Sequence, residues 1–195
     1  MNNRIILSLI FLAIISIAKA QNEVPTHPKY GFNIGYFGHK IANAGLQIGV
    51  EKYLVTTNNF NVIGSLNVSY YNQKDIQSAF VLNGRIGQRY TTGFGLFLET
   101  YLGLGLQQTF YTNKTYEYPS GEQSKNTESK EAKTGISPSI VLGLGYDFSK
   151  NTELPIKLYI RPTFNWVYPD KNLVFQGAHA LELGVIYVPN FKKLF

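Results

Sequence analysis

Seven charged side chains share one property: each sits on the polar side of a two-residue alternation. They are Glu51, Glu99 and Glu182 on the acidic side and Arg85, Arg89, Lys157 and Arg161 on the basic side. Carboxylates and cations held on one face of extended chain can pair. In a space too narrow for bulk water they must, because an unpaired buried charge is costly. The spacing therefore predicts a salt-bridge network with a structural role, and an ion path is the alternative use of the same groups. Register narrows one pair: a three-residue turn at 91–93 keeps Ile86 and Leu98 on the same outer face and sets Arg85 opposite Glu99.

Other chemistry is thinly represented. The histidines are His27, ahead of the first alternating block, and His39 and His179, near loop ends. No Gly-x-Ser-x-Gly, His-Glu-x-x-His or P-loop pattern accompanies them. Ser137 or Ser139 would meet His179 only by accident of packing, so no catalytic residue, metal site or cofactor is expected. The chain has no cysteine, which excludes thiol redox, Cys-based zinc and Cys nucleophiles. Gly-x-Gly pairs recur at 101–106 and 141–146, but no helix follows to hold a phosphate. They read as small residues on the inner face of two paired strands, leaving space for Tyr101, Tyr159 or Arg161. The formal charge of +6 falls to +4 once Arg4 and Lys19 leave with the leader described below, and the basic residues form no stripe. A nucleic-acid partner is not expected.

The elements that must position the charges are eight blocks of alternating sequence, at 30–37, 44–54, 60–71, 79–90, 94–111, 136–148, 156–168 and 179–188. Most are as long as the roughly 9–11 residues a tilted strand needs to cross a bilayer. One face is apolar and rich in leucine; the other carries glycine, amides and the charges. A soluble sheet places such faces the other way round. The expected fold is all-β, an eight-stranded antiparallel transmembrane up-and-down β-barrel whose narrow lumen is filled by side chains.

Connections at 55–59, 91–93 and 149–155 are short on average, and those at 39–43, 72–78, 112–135 and 169–178 are longer. This is the pattern of periplasmic turns and extracellular loops. The segment 112–135 is polar, reads as an outer loop, and carries Tyr116 and Tyr118 as contact candidates. Aromatics gather at block ends, with Tyr53, Phe60, Tyr90, Phe94 and Phe148 toward the turns and Tyr36, Tyr70, Phe110, Trp166 and Tyr168 toward the loops. They predict two interfacial girdles. Pro138 and Pro162 fall inside blocks, where each should mark a bulge or a block boundary.

The chain begins with Arg4 ahead of an apolar run and Ala18-Lys19-Ala20. This pattern predicts a signal peptide at 1–20, cleaved after Ala20, and a barrel domain at 21–195. With that leader, the eight blocks and the last strand Glu182-Leu183-Gly184-Val185-Ile186-Tyr187, the sequence resembles small outer-membrane barrels of the OmpA/OmpX-like superfamily, especially Bacteroidota-type members. The resemblance implies an outer-membrane location, membrane lipids and lipopolysaccharide as surroundings, and insertion by the barrel-assembly machinery. The last strand is similar to the signal that machinery reads, with Pro189, Lys192 and Lys193 departing from it. The expected function is non-enzymatic, in surface structure, adhesion or envelope integrity. A small-solute channel, an outer-membrane lipid hydrolase and a soluble lipocalin-like carrier are the alternatives.

Overall fold

The computed structural model describes residues 30–39, 43–74, 77–114, 128–168 and 176–189. The leader with its cleavage site, His27, Tyr116 and Tyr118 lie outside the described residues. Strands β1 (Tyr30–His39), β2 (Gly45–Thr56), β3 (Phe60–Gln73), β4 (Gln77–Thr91), β5 (Leu96–Lys114), β6 (Glu128–Asp147), β7 (Ile156–Val167) and β8 (Gln176–Tyr187) follow one another round a closed barrel. Every pairing is antiparallel, and β1 closes on β8 from Phe32 opposite Tyr187 to His39 opposite Ala180. Closure leaves no unpaired edge along the wall, which is how a sheet survives in a medium that cannot hydrogen-bond to it.

The alternation in sequence becomes an inside-out distribution in space. Along β7, buried and exposed residues alternate without a break from Lys157 to Val167. Leu98, Leu102 and Leu104 on the outer wall keep 60–65% of their surface exposed, whereas Glu51, Arg89 and Glu182 inside keep none. A continuous apolar wall of this extent is stable in hydrocarbon and a liability in water.

Several expectations change. The β4–β5 turn spans four residues rather than three: Thr92 N donates to Leu96 O, Gly95 N donates to Thr92 O, and Gly95 holds φ at +101°. A Cβ there would stand 2.5 Å from the carbonyl oxygen of Asp147, so glycine is required on both counts. The longer turn moves the register: Arg89 stands opposite Glu99, and Arg85 stands opposite Gly103.

The segment 112–135 is not all loop. β5 and β6 stay paired as far as Lys114 opposite Glu128, so Glu128 onward is strand despite its polar sequence. Neither proline marks a bulge or a boundary; both sit inside unshifted strands. What they interrupt is the β6–β7 ladder. Ile136 and Tyr168 exchange both backbone bonds, so even-numbered β6 residues point their N–H groups at β7, and Pro138 and Pro162 each lack the donor that this seam needs. Among the described residues the one register shift lies in β2 at Tyr53/Val55.

Tyr53 leaves the predicted girdle and points inward, packed against the buried clusters of Phe97, Tyr159, Ile186 and Val188 and of Ile63, Tyr101 and Val141. Tyr90, Phe94, Tyr70, Phe110, Trp166 and Tyr168 are exposed toward the two rims, as girdle residues should be.

Candidate functional site

The lumen is where the chain concentrates its polar groups. Near its middle, four charged side chains from four strands form a closed ring. Arg89 Nη2 lies 2.9 Å from Glu51 Oε2, and Arg89 Nε lies 2.7 Å from Glu99 Oε2. On the other side, Arg161 Nη2 lies 2.8 Å from Glu51 Oε1, and Arg161 Nε lies 2.6 Å from Glu99 Oε1. Each guanidinium spans both carboxylates, and each carboxylate divides its two oxygens between the two arginines. Phenols complete the coordination: Tyr101 donates to Glu99 Oε2 and accepts from Arg89, while Tyr53 accepts from Arg89 Nη1. The Arg161 guanidinium carbon sits 4.0 Å from the Tyr159 ring centroid, and that of Arg89 sits 4.9 Å from the Phe97 ring. These are cation–π distances in a desolvated site.

Toward the loop end, Arg85 grips Glu182 with two bonds, of 3.0 and 2.7 Å. Gln47 and Thr163 also donate to Glu182, and Ser69 donates to Gln47. Toward the turn end, Lys157 Nζ lies 2.6 Å from Asp147 Oδ2. All seven charged residues predicted from sequence thus lie inside and paired. The pairings differ from the expected one, since Arg85 bonds Glu182 and Glu99 bonds Arg89 and Arg161.

Asp147 falls on the polar face of the sixth block in sequence but is absent from the predicted charge network. The predicted set holds three acids and four bases; Asp147, at the last position of β6, makes the buried set neutral. Neutrality matters because one residual charge in a low-dielectric interior outweighs the gain of several hydrogen bonds.

Large side chains seat above inward glycines. A Cβ on Gly143 would meet Glu99 Cγ at 2.5 Å, one on Gly145 would strike the Phe97 ring, and one on Gly87 would strike Tyr101. The Tyr159 hydroxyl rests at 2.9 and 2.5 Å from the Cβ positions of Gly35 and Gly184. The glycines of β5 and β6 therefore make room for Asn83, Ser139, Glu99 and Phe97, rather than for Tyr101, Tyr159 or Arg161 as expected.

Apolar layers close both sides of the charges: Phe97, Tyr159, Ile186 and Val188 toward the turns, and Phe37, Tyr71, Ala79, Val81 and Ala180 toward the loops. The cavity beside Arg85, bounded by Phe37, Tyr71 and Gln107, offers about 10 Å³. That is space for at most a single water. His179 lies on the outer wall with its ring edge-on to Phe164, whereas Ser137 and Ser139 are buried inside. Ser137 and Ser139 therefore stand across the wall from His179. The side chain of His39 lies outside the described residues. Among the described residues no group of three or more His, Cys, Asp or Glu could hold a metal.

Several solved structures share this architecture at low sequence identity. The structure of Neisserial surface protein A matches with a TM-score of 0.57 and 10% identity, over 82% of this chain and 96% of its own. A major outer membrane protein from Thermus thermophilus matches with a TM-score of 0.55 and 9% identity, over 81% and 97%. Ail, the attachment invasion locus protein of Yersinia pestis, matches with a TM-score of 0.50 and 14% identity, over 83% and 98%. No family model matches the chain, and no curated protein matches it in sequence. The likeness to these proteins is one of fold, the closed eight-stranded barrel.

Proposed function

We propose that the protein is a non-enzymatic outer-membrane barrel of the OmpA/OmpX-like superfamily, of Bacteroidota type, whose lumen is a structural plug. Its work in surface structure, adhesion or envelope integrity is done by its extracellular loops, among membrane lipids and lipopolysaccharide, after insertion by the barrel-assembly machinery. The observation that carries this reading is the closed ring of Glu51, Glu99, Arg89 and Arg161, bonded among its own members and to Tyr53 and Tyr101. A channel needs charges that solvated ions can reach, and these have virtually no exposed surface to offer. A hydrolase needs a nucleophile beside a base, and Ser137 and Ser139 are separated from His179 by the barrel wall.

The loop side offers the alternative place for function. β4 and β5 part at Gln77 opposite Tyr111, yet β5 and β6 remain paired to Lys114 opposite Glu128. The segment 115–127, with Tyr116 and Tyr118, is thus carried on a two-stranded stalk. The name of Ail, an attachment invasion protein, fits a surface role for such an architecture.

Two measurements test the proposal. Cell fractionation should recover the chain in the outer membrane as a heat-modifiable band; recovery in the soluble periplasm overturns it. Planar bilayers holding the purified barrel should stay silent, and reproducible conductance steps would replace the plug with a pore.

A further inference from the structure

On the outer wall, neighbouring strands set side chains in rows. One row runs Tyr30, Lys52, Gly64, Ile86, Leu102, and the next runs Phe32, Val50, Leu66, Gly84, Leu104. Each row has one position without a side chain, and the two gaps are diagonal neighbours. A Cβ on Gly84 would touch nothing nearer than the Leu104 carbonyl oxygen at 3.8 Å, and one on Gly64 nothing nearer than Leu54 Cδ1 at 3.6 Å. The result is an open apolar groove of about 770 Å³ walled by Val50, Leu54, Leu66, Ile86, Leu102 and Leu104. Inward glycines are filled, Gly143 by Glu99, Gly145 by Phe97, Gly87 by Tyr101, and Gly35 and Gly184 by Tyr159. These two face outward, and among the described residues no side chain comes nearer to their Cβ positions than Leu54 Cδ1 at 3.6 Å.

Lys52 lines the same groove. It is exposed, and among the described residues it is the only Lys, Arg, Asp or Glu pointing outward in the apolar band. It lies toward the turn end of β2, beside Tyr30, which belongs to the rim on that side. A cation at that depth is disfavoured in hydrocarbon unless it reaches the interface or meets an anion.

We propose that this groove is a binding site for one anionic glycerophospholipid of the periplasmic leaflet, with an acyl chain laid over Gly64 and Gly84 and its phosphate paired with Lys52. The inference rests on the membrane-barrel reading above. Two features select this occupant over a second copy of the chain. The two gaps open a recess among Val50, Leu66, Ile86, Leu102 and Leu104 that an extended acyl chain can enter, and the lone cation repels its own copy across a symmetric interface while attracting a phosphate.

The test is native mass spectrometry of the purified barrel in detergent, titrated with phosphatidylglycerol or with phosphatidylcholine. The wild-type barrel should retain one phosphatidylglycerol in preference to phosphatidylcholine. Lys52→Gln should weaken phosphatidylglycerol retention about fivefold and leave phosphatidylcholine unchanged, the size of effect expected for one basic side chain at an anionic surface. Gly84→Leu, which points into open space, should abolish the single-lipid adduct. Equal retention of both lipids by the wild type, or unchanged adducts in either variant, overturns the site. So does a dimer that Gly84→Leu dissociates. Heat-modifiable migration of the same samples reads the barrel separately: its loss in the wild type would sink the membrane reading, and its persistence confines any failure to the groove.

Discussion

Arg89 and Arg161 are each bonded to both carboxylates of the ring, so the removal of one member is felt by the other three. Arg89→Met leaves Glu51 and Glu99 sharing a single guanidinium in a dry interior. A loss of about 3–5 kcal/mol is expected, the scale of a broken buried ion pair. Adding Glu51→Gln restores neutrality and leaves Arg161 on Glu99, so the double variant should be more stable than the single one. Urea unfolding of the folded barrel in lipid vesicles reads both, and additive losses would mean the four charges act independently. Glycines give a second contrast. Gly143→Ala forces a Cβ to 2.5 Å from Glu99 Cγ and should cost about 1–3 kcal/mol by overpacking. Gly84→Ala, on the open outer groove, should stay within about 0.5 kcal/mol in the same assay. The inward position of Glu51, Arg85, Arg89, Glu99, Lys157, Arg161 and Glu182 was legible because parity puts them on one face and a lumen too narrow for the long leucine rows turns that face inward. Their partners were not, because partner choice depends on the turn, and the turn depends on one glycine at positive φ. Asp147 obeys the same parity at the last position of β6, and its partner Lys157 stands directly opposite on β7.

Among the wall elements, the β6–β7 seam differs from the rest. Its ladder consists of two short runs, 139–141 with 163–165 and 144–147 with 157–160, plus the Ile136–Tyr168 bridge. The gaps fall where Pro138 should donate to Trp166 and Pro162 should donate to Leu142. β5 and β6, by contrast, pair without interruption from Leu96 opposite Tyr146 to Lys114 opposite Glu128. Amide hydrogen exchange should therefore be faster at Leu142 and Trp166 than at Leu102 and Leu104 of β5, since local opening follows local bonding. Pro162→Ala supplies the missing donor and should slow exchange at Leu142. Equal protection at all four amides would show that the gaps carry no dynamic weight. Strand number, order and faces were readable because each block keeps a period of two over many residues. The extension of β6 back to Glu128 was not, because Glu-Ser-Lys-Glu has the composition of a loop. It becomes strand by pairing with β5, a case where the partner overrides propensity.

At the scale of the whole molecule, the wall and its plug form one unit and the β5–β6 stalk projects from it. The lumen charges and the amides and hydroxyls beside them are held by bonds among all eight strands, on the barrel side of Tyr111 in β5 and Gly135 in β6. The stability of the barrel should therefore be independent of what the stalk carries. Lys114 and Glu128 already face each other across the hairpin, so the 115–127 segment can be replaced by a two-residue Asn-Gly turn, which matches the twist of paired strands. A shorter connection also lowers the entropy of closing the hairpin. The shortened protein should fold to the same heat-modifiable form, with a urea midpoint equivalent to wild type within about 0.5 kcal/mol. Its effect on cells, read as surface adhesion or as tolerance of detergent and bile-salt stress, should fall to that of a strain lacking the protein. A shortened barrel that no longer folds would make the segment part of the scaffold. One that folds and still acts in full would move the function to the three other loops on that rim.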